Sequence, residues 1–399
     1  MNARAVRFPL VDSMRAIAFL CVFAAHAGFY AGFAANGSTL RPFLARGDVG
    51  VRIFFLISAF LLYRPFVAAR LRGEKSPLVR AYAWRRFLRV APPYWLALCA
   101  VTVWLGAPGI FTPTHAPLYF GFAHVYDTDT LTVTGLPQAW SLCVEVAFYA
   151  FLPLYAALLR RARGGMRTEL AAAAVIFAAS LAYKLWVLSL GAPTDPSLVR
   201  WHFALPEYLD YFAVGIALAA YSVAAADGRS LPAWLERATR RPWIAWLVAI
   251  ALFVVVSKGI GLTGGVDDDV TDARFLLRHY LYAAVALGLF LPAPFGEPDG
   301  GWVRRLLAWR PLLWIGRVSY GAFLFHFAVL EQLKRWDFNS VADDVSPYLW
   351  FAAGLAGTLA IAAASWYAYE RPLLTLKRLV PARPQPAERG RYSAIPGPR

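Results

Sequence analysis

Cysteine and charged residues are scarce in this 399-residue sequence, and each shortage excludes a class of protein. The three cysteines, Cys21, Cys99 and Cys143, are odd in number and lie in apolar stretches, so they predict neither a disulfide framework nor a metal site. Charged residues make up 16% of the chain, against about 25% in soluble proteins, whereas hydrophobic residues make up 59%. With a mean hydropathy of +0.49, this composition predicts an integral membrane protein.

Acidic residues are outnumbered by basic ones, 24 to 40, which gives a formal net charge of +16. In a soluble protein such an excess would suggest a nucleic-acid partner. Here the basic residues fall between apolar stretches, where they act as signals of membrane topology. We therefore expect the lipid bilayer, and no nucleic acid, as a partner.

The apolar stretches predict an all-α integral membrane protein with about ten transmembrane helices. We expect one transmembrane domain over residues 1–372, followed by a basic, Pro-rich and disordered cytoplasmic tail over 373–399. The predicted spans are 10–33, 49–69, 87–107, 139–159, 170–190, 205–225, 243–262, 276–295, 312–332 and 349–369.

Basic residues are distributed unevenly between the two sets of loops that ten spans create. Seventeen Lys and Arg residues lie in one set, within 70–86, 160–167, 229–241 and 304–310. The other set holds six, namely Arg41, Arg46, Arg200, Arg274, Lys334 and Arg335. The positive-inside rule therefore predicts that the first set and both termini are cytoplasmic. Acidic residues favour the outward loops: Asp127, Asp129, Asp195, Asp267, Asp268, Asp269, Asp343 and Asp344.

The first span carries two polar residues, Arg15 and His26, within an apolar run. Ionisable residues inside a membrane are costly and mark functional candidates by default. Eleven residues make almost three helical turns, so both side chains share one face about 16 Å apart along the axis. The alternative is structural: Arg15 reaches the headgroups and His26 makes a hydrogen bond within the bundle.

The start of the third span carries Arg86 and Arg89, which are neighbours on one helix face at the predicted cytoplasmic surface. The forked guanidinium groups suit phosphate oxygens. A plain positive-inside anchor is the alternative for both residues.

Further polar residues fall inside the fourth and ninth spans. Ser141 and Glu145 share a helix face, with Tyr149 one turn further on. A buried glutamate must pair or hold its proton, so Arg15 or His26 is its natural partner, in a structural ion pair or in support of catalysis. The ninth span contains Ser319, Tyr320 and His326, and His326 alone is better explained by a hydrogen bond in the bundle than by catalysis.

Several ordered motifs resemble the acyltransferase family 3 proteins. They are the Arg–ten residues–His spacing of Arg15 and His26, and the segments GVRIFFLISAFLL, RRFLRVAPPYW, WSLCVEVAFY and RVSYGAFLFH, followed by a closing Glu-Arg-Pro. The resemblance covers nearly the whole chain. The chain departs from the family pattern at Arg52, Ala59, Val146 and Phe323, where Asp, Gly, Glu and Tyr are common.

The resemblance implies a bacterial inner-membrane enzyme that transfers an acyl group, usually acetyl, from acyl-CoA to a hydroxyl of a sugar or glycoconjugate. Some members carry a fused extracellular hydrolase-like domain. Because only about thirty residues follow the last predicted span, we expect a single-component enzyme or one that hands the acyl group to a partner. The alternative is a transporter or flippase of a lipid-linked sugar, which predicts repeated halves.

The expected roles combine these observations. His26 acts as general base or acyl carrier, with Arg15 and Glu145 as the other catalytic residues. Arg86 and Arg89 bind the phosphates of the acyl-CoA donor. Ser141, Tyr149, Ser319, Tyr320 and His326 bind substrate or support the site. No cluster with metal-ligand spacing is present in the sequence, so we expect no metal.

Overall fold

The computed structural model describes residues 8–31, 38–106, 109–131, 136–261, 270–297, 300–338 and 347–381, and within these ranges the regular structure is entirely helical. Ten long helices form the bundle. They are α1 Pro9–Tyr30, α2 Val49–Leu71, α3 Val79–Leu105, α4 Trp140–Arg161, α5 Met166–Leu188, α6 Leu205–Ala226, α7 Pro242–Val254, α8 Asp272–Phe290, α9 Arg310–Arg335 and α10 Pro347–Ser365.

Nine helical segments in the described part of the chain are long and apolar enough to cross a membrane. This confirms the all-α membrane fold. The eighth predicted span, 276–295, differs: a helix forms there, but α8 starts earlier and is not among the nine. Its first half carries Asp272, Arg274, Arg278 and His279, and these polar residues make it less apolar than the others.

Helix α1 lies at the centre of the bundle, packed between α2 and α9. Two glycines allow the close approach. A Cβ atom on Gly47 would lie 2.1 Å from the carbonyl oxygen of Cys21, and one on Gly316 would lie 1.8 Å from that of Asp12. Small residues at helix contacts are the usual means of bringing membrane helices together. Helix α1 is therefore packed closely against its neighbours, while the Arg15 side chain keeps 27% of its surface exposed.

Short helices connect the long ones, and further helical turns extend α10 to Leu379. The tail beyond residue 381 lies outside the described residues, as do Asp267, Asp268, Asp269, Asp343 and Asp344 of the predicted outward loops. The cytoplasmic location of the termini stays a prediction.

Candidate active site

An open cleft lies between α1, α2, α3, α4 and α9. Its polar lining contains eight of the residues singled out from the sequence, together with one that was missed, Ser58. The polar side chains are Arg15, Ser58, Arg86, Arg89, Ser141, Glu145, Tyr149, Ser319 and Tyr320, and the apolar wall includes Val51, Phe54, Phe55, Leu142 and Phe323. Residues from distant parts of the sequence therefore meet in one space.

Three arginines give the cleft a positive charge. Arg15 pairs with Asp12, one turn earlier on α1, at 3.2 Å. Arg89 lies over the rings of Tyr320 and Trp366, at 5.8 and 5.5 Å. Within the part of the chain that the structure describes, Arg86 makes no hydrogen bond and no ion pair with a carboxylate. Its guanidinium group is thus available to a ligand.

Glu145 is the carboxylate in this cleft, and its partners differ from the expected ones. The hydroxyl of Ser58 donates to one carboxylate oxygen at 2.5 Å, and that of Tyr149 donates to the other at 2.8 Å. The expected direct contact with Arg15 or His26 is not made: Arg15 turns to Asp12, while two neutral hydroxyls are within reach of Glu145. Ser58 is the polar residue within the apolar run FFLISAFLL of α2, and that isolation is the sequence signal that could have identified it.

His26 contacts His326, which is 300 positions away in sequence and fully buried. Nδ1 of His26 lies 2.8 Å from Nε2 of His326, and the two rings are stacked. Nδ1 of His326 lies 2.8 Å from the carbonyl oxygen of Phe323, which can only accept. In the neutral rings, Nδ1–H of His326 therefore donates to Phe323, and Nδ1–H of His26 donates to His326. Nε2 of His26 is left with its lone pair.

The cleft ends beside this histidine pair. Phe323 lines the cleft, and its ring lies 5.8 Å from that of His326. Gln138 fixes this part of α9, because its side-chain NH₂ group donates to the carbonyl oxygen of Leu324 at 2.8 Å. His26 itself does not line the cleft. Phe323 is thus a cleft residue that contacts the histidine pair, through the ring of His326.

Comparisons with known proteins identify the family of this chain. The acyltransferase domain family model matches residues 9–367 of this chain. The chain therefore belongs to the acyltransferase family, as its motifs predicted. No solved structure matches it significantly.

Similar proteins occur in several bacteria. The chain is 23% identical over 380 residues to the peptidoglycan O-acetyltransferase OatA of Listeria monocytogenes, and 24% identical over 388 residues to the putative peptidoglycan O-acetyltransferase YrhL of Bacillus subtilis. Each alignment covers 92% of this chain and 55% of the relative, so the chain spans little more than half of their length. Nodulation protein 10 of Rhizobium leguminosarum is 24% identical over 363 residues, with 84% of both chains covered.

Proposed function

We propose that this protein transfers an acetyl group from acetyl-CoA to a hydroxyl of a cell-envelope sugar, with Nε2 of His26 as the reactive base. The observation that carries the proposal is the lone pair on Nε2 of His26, which is oriented by His326; the His326 ring contacts Phe323 in the wall of a cleft that three arginines line. We place the protein in a bacterial inner membrane with the arginines towards the cytoplasm, because the loop charges favour that orientation.

The donor enters at the basic end of the cleft. Arginine forks bind phosphate oxygens with charge-assisted hydrogen bonds, and coenzyme A carries several phosphates. Arg86 is the most available of the three, and Arg15 and Arg89 add positive charge beside it. The apolar wall formed by Val51, Phe54 and Phe323 suits the pantetheine arm, which leads the thioester towards the histidine pair.

The base acts on the acceptor hydroxyl. Nε2 of His26 removes the hydroxyl proton as the oxygen attacks the thioester carbonyl, the C–S bond breaks, and the coenzyme A thiolate receives the proton from the imidazolium. General-base catalysis of this kind is typically worth about 10²–10⁴-fold in rate. Alternatively, the same nitrogen takes the acetyl group before passing it to the sugar. Both routes require the tautomer that His326 fixes.

The other cleft residues support these steps. Glu145 joins α2 to α4 through Ser58 and offsets part of the arginine charge, and we assign it a positioning role. Tyr320 donates its hydroxyl to the carbonyl oxygen of Val90 at 2.8 Å and packs over Arg89, so it positions the donor end. Ser319 donates to the carbonyl oxygen of Gly316 at 2.9 Å, while Ser141 and Tyr149 line the opposite wall. No step requires a metal ion.

The acceptor class follows from the relatives. Two of them are named as peptidoglycan O-acetyltransferases, which supports a cell-wall amino sugar as the acceptor. The runner-up function, transport or flipping of a lipid-linked sugar, would also require charges within the membrane, but it gives no role to a histidine with a fixed tautomer.

The experiment measures acetyl transfer by the purified protein in detergent. Transport cannot be measured there, because the protein does not separate two compartments. The donor is radiolabelled acetyl-CoA and the acceptor is the disaccharide of N-acetylglucosamine and N-acetylmuramic acid. We expect label in a base-labile ester on the sugar, with one free thiol released per ester formed. Binding of acetyl-CoA without any transfer of label would contradict the proposal.

A further inference from the structure

The carboxylate of Asp48 follows a segment that packs closely against α1 near His26, and no step above uses it. Gly47 crosses α1 with its Cα so close that an added Cβ would lie 3.1 Å from the Cβ of Ala25. Asp48 and His26 directly follow these two residues in the chain. Asp48 therefore lies at the reactive end of α1, beyond the cleft that receives the donor.

Asp48 is held on two sides by buried groups. The hydroxyl of Tyr282 donates to Oδ1 at 2.5 Å, and Nη1 of Arg52 lies 3.4 Å from Oδ2. Arg52 is itself enclosed by the rings of Trp140, Tyr208 and Tyr282, at 5.8, 5.5 and 5.5 Å. The carboxylate consequently has one orientation, fixed from α2 and α8.

The same carboxylate remains open to solvent. The Asp48 side chain is 40% exposed, whereas that of Arg52 is 13% exposed and Tyr282 is 1% exposed. An ionised carboxylate offers about four acceptor sites, of which the hydrogen bond from Tyr282 uses one, while Arg52 donates to the backbone carbonyl oxygen of Asp48. A carboxylate that is fixed in place and still accessible is suited to accept hydrogen bonds from a ligand's hydroxyl groups.

We propose that Asp48 binds a hydroxyl of the acceptor sugar adjacent to the one that is acetylated, and so holds the acceptor against Nε2 of His26. The proposal rests on the acetyltransferase function proposed above. It narrows the acceptor to sugars with a free neighbouring hydroxyl. Hydrogen bonds to charged groups are stronger than neutral ones, so loss of this contact should weaken acceptor binding about tenfold or more.

The test measures acetyl transfer from acetyl-CoA to methyl β-N-acetylglucosaminide and to its 3-deoxy and 4-deoxy analogues, with the purified full chain and its Asp48→Asn variant. We expect Asp48→Asn to raise KM for the parent glycoside about tenfold with little change in kcat. With the unaltered protein, one of the two deoxy glycosides should already have a higher KM than the parent glycoside. Asp48→Asn should not raise the KM for that deoxy glycoside further. That pattern identifies the hydroxyl that Asp48 binds.

Tyr282→Phe is the matched control, because it removes the hydroxyl that orients Asp48 and keeps the carboxylate. A purely structural Asp48 predicts that both variants lower the thermal unfolding midpoint and leave the acceptor KM unchanged, and this result would overturn the proposal. A fall in kcat at constant KM would also overturn it, because Asp48 would then act on His26. If the unaltered protein binds acetyl-CoA but acetylates none of the glycosides, the acetyltransferase function fails and this inference falls with it.

Discussion

Polar side chains occupy the interior of the helical bundle in several places, and two of these groups are built differently. Between α5, α6 and α8, Lys184 and His279 both contact Oδ2 of Asp210 at 2.8 Å. Ser180 accepts a further hydrogen bond from Lys184 at 2.7 Å, and the backbone N–H of Tyr211 donates to Oδ1 of Asp210. All of these side chains are buried, and each charge in the group has a partner.

The cleft has the opposite character. Arg86 lines the cleft without an ion pair to a carboxylate in the described part of the chain, and Nε2 of His26 keeps its lone pair without a hydrogen bond to a described residue. A charge inside a membrane is therefore not evidence of function by itself. The closed group can only stabilise the packing of three helices, whereas the open one can bind and react. This difference predicts that the same kind of substitution has different consequences in the two places.

Asp210→Asn should have the largest effect on stability. The substitution leaves the buried ammonium of Lys184 facing a neutral amide, and breaking a buried ion pair costs about 3–5 kcal/mol. We expect a large drop in the thermal unfolding midpoint in detergent, with the transfer rate per folded molecule unchanged. Adding Lys184→Met should recover part of the loss. An unchanged midpoint would show that the buried group does not stabilise the bundle.

His326→Ala should instead affect catalysis. Without the acceptor at Nε2 of His326, the tautomer of His26 is no longer fixed, and we expect at least about a tenfold loss of transfer rate. His326→Gln should retain most of the activity, because the glutamine oxygen can accept from Nδ1–H of His26. Equal losses in both variants, measured under saturating acetyl-CoA, would reduce His326 to a packing residue.

Arg86→Ala should weaken the donor complex. Removal of a charged hydrogen-bond donor to phosphate predicts about a tenfold increase in Kd for acetyl-CoA, and the difference should shrink as salt concentration rises. Arg85→Ala is the matched control, because this neighbouring arginine is exposed and does not line the cleft. Calorimetry that gives the same Kd for both variants would return Arg86 to the role of a topology anchor.

Asp227→Asn should have the smallest effect on stability, although it is the same kind of substitution as Asp210→Asn. Asp227 accepts hydrogen bonds from Arg72 at 3.0 and 2.6 Å at the exposed end of α6. The Arg72 guanidinium lowers the pKa of this carboxyl below its ordinary value. Because this pKa is lower in the folded protein than in the unfolded chain, the carboxylate stabilises the folded protein at pH values above the unfolded pKa of about 3.9.

That stabilisation is lost as the pH falls through the folded value. Exposed ion pairs are worth about 0–1 kcal/mol, so the unfolding midpoint of Asp227→Asn should stay close to that of the unaltered protein at neutral pH. The remaining difference in midpoint between the variant and the unaltered protein should vanish at acidic pH. A drop in the unfolding midpoint as large as that of Asp210→Asn would mean that burial does not explain the difference in stability between the two ion pairs.

Part of this architecture could be predicted from the sequence. Hydrophobic run lengths identified the helices, because a bilayer-spanning helix must be apolar for about twenty residues. The helical period put Arg86 and Arg89 on one face, and the motifs marked Ser141, Glu145 and Tyr149. Helix α8 was the exception in composition, since Asp272, Arg274, Arg278 and His279 lie in its first half.

The contacts between helices could not be predicted in the same way. His26 meets His326, and Ser58 meets Glu145, only because α1, α2, α4 and α9 pack together. Lys184 and Asp210 are as conspicuous in the sequence as Arg15, yet the fold closes them off. Whether a charge inside the membrane is enclosed or accessible depends on how the helices pack. The periodicity of residues along one helix cannot predict it.

The central claim is that His26 performs the chemistry while the arginines bind the donor. The most direct measurement compares acetyl-CoA binding and acetyl transfer in His26→Ala. His124→Ala is the matched control, because His124 is also buried but packs against Tyr119 and Cys143, away from the cleft. We predict that His26→Ala binds acetyl-CoA within about twofold of the unaltered protein but loses on the order of a hundredfold or more in transfer rate. Transfer close to that of His124→Ala would contradict the account.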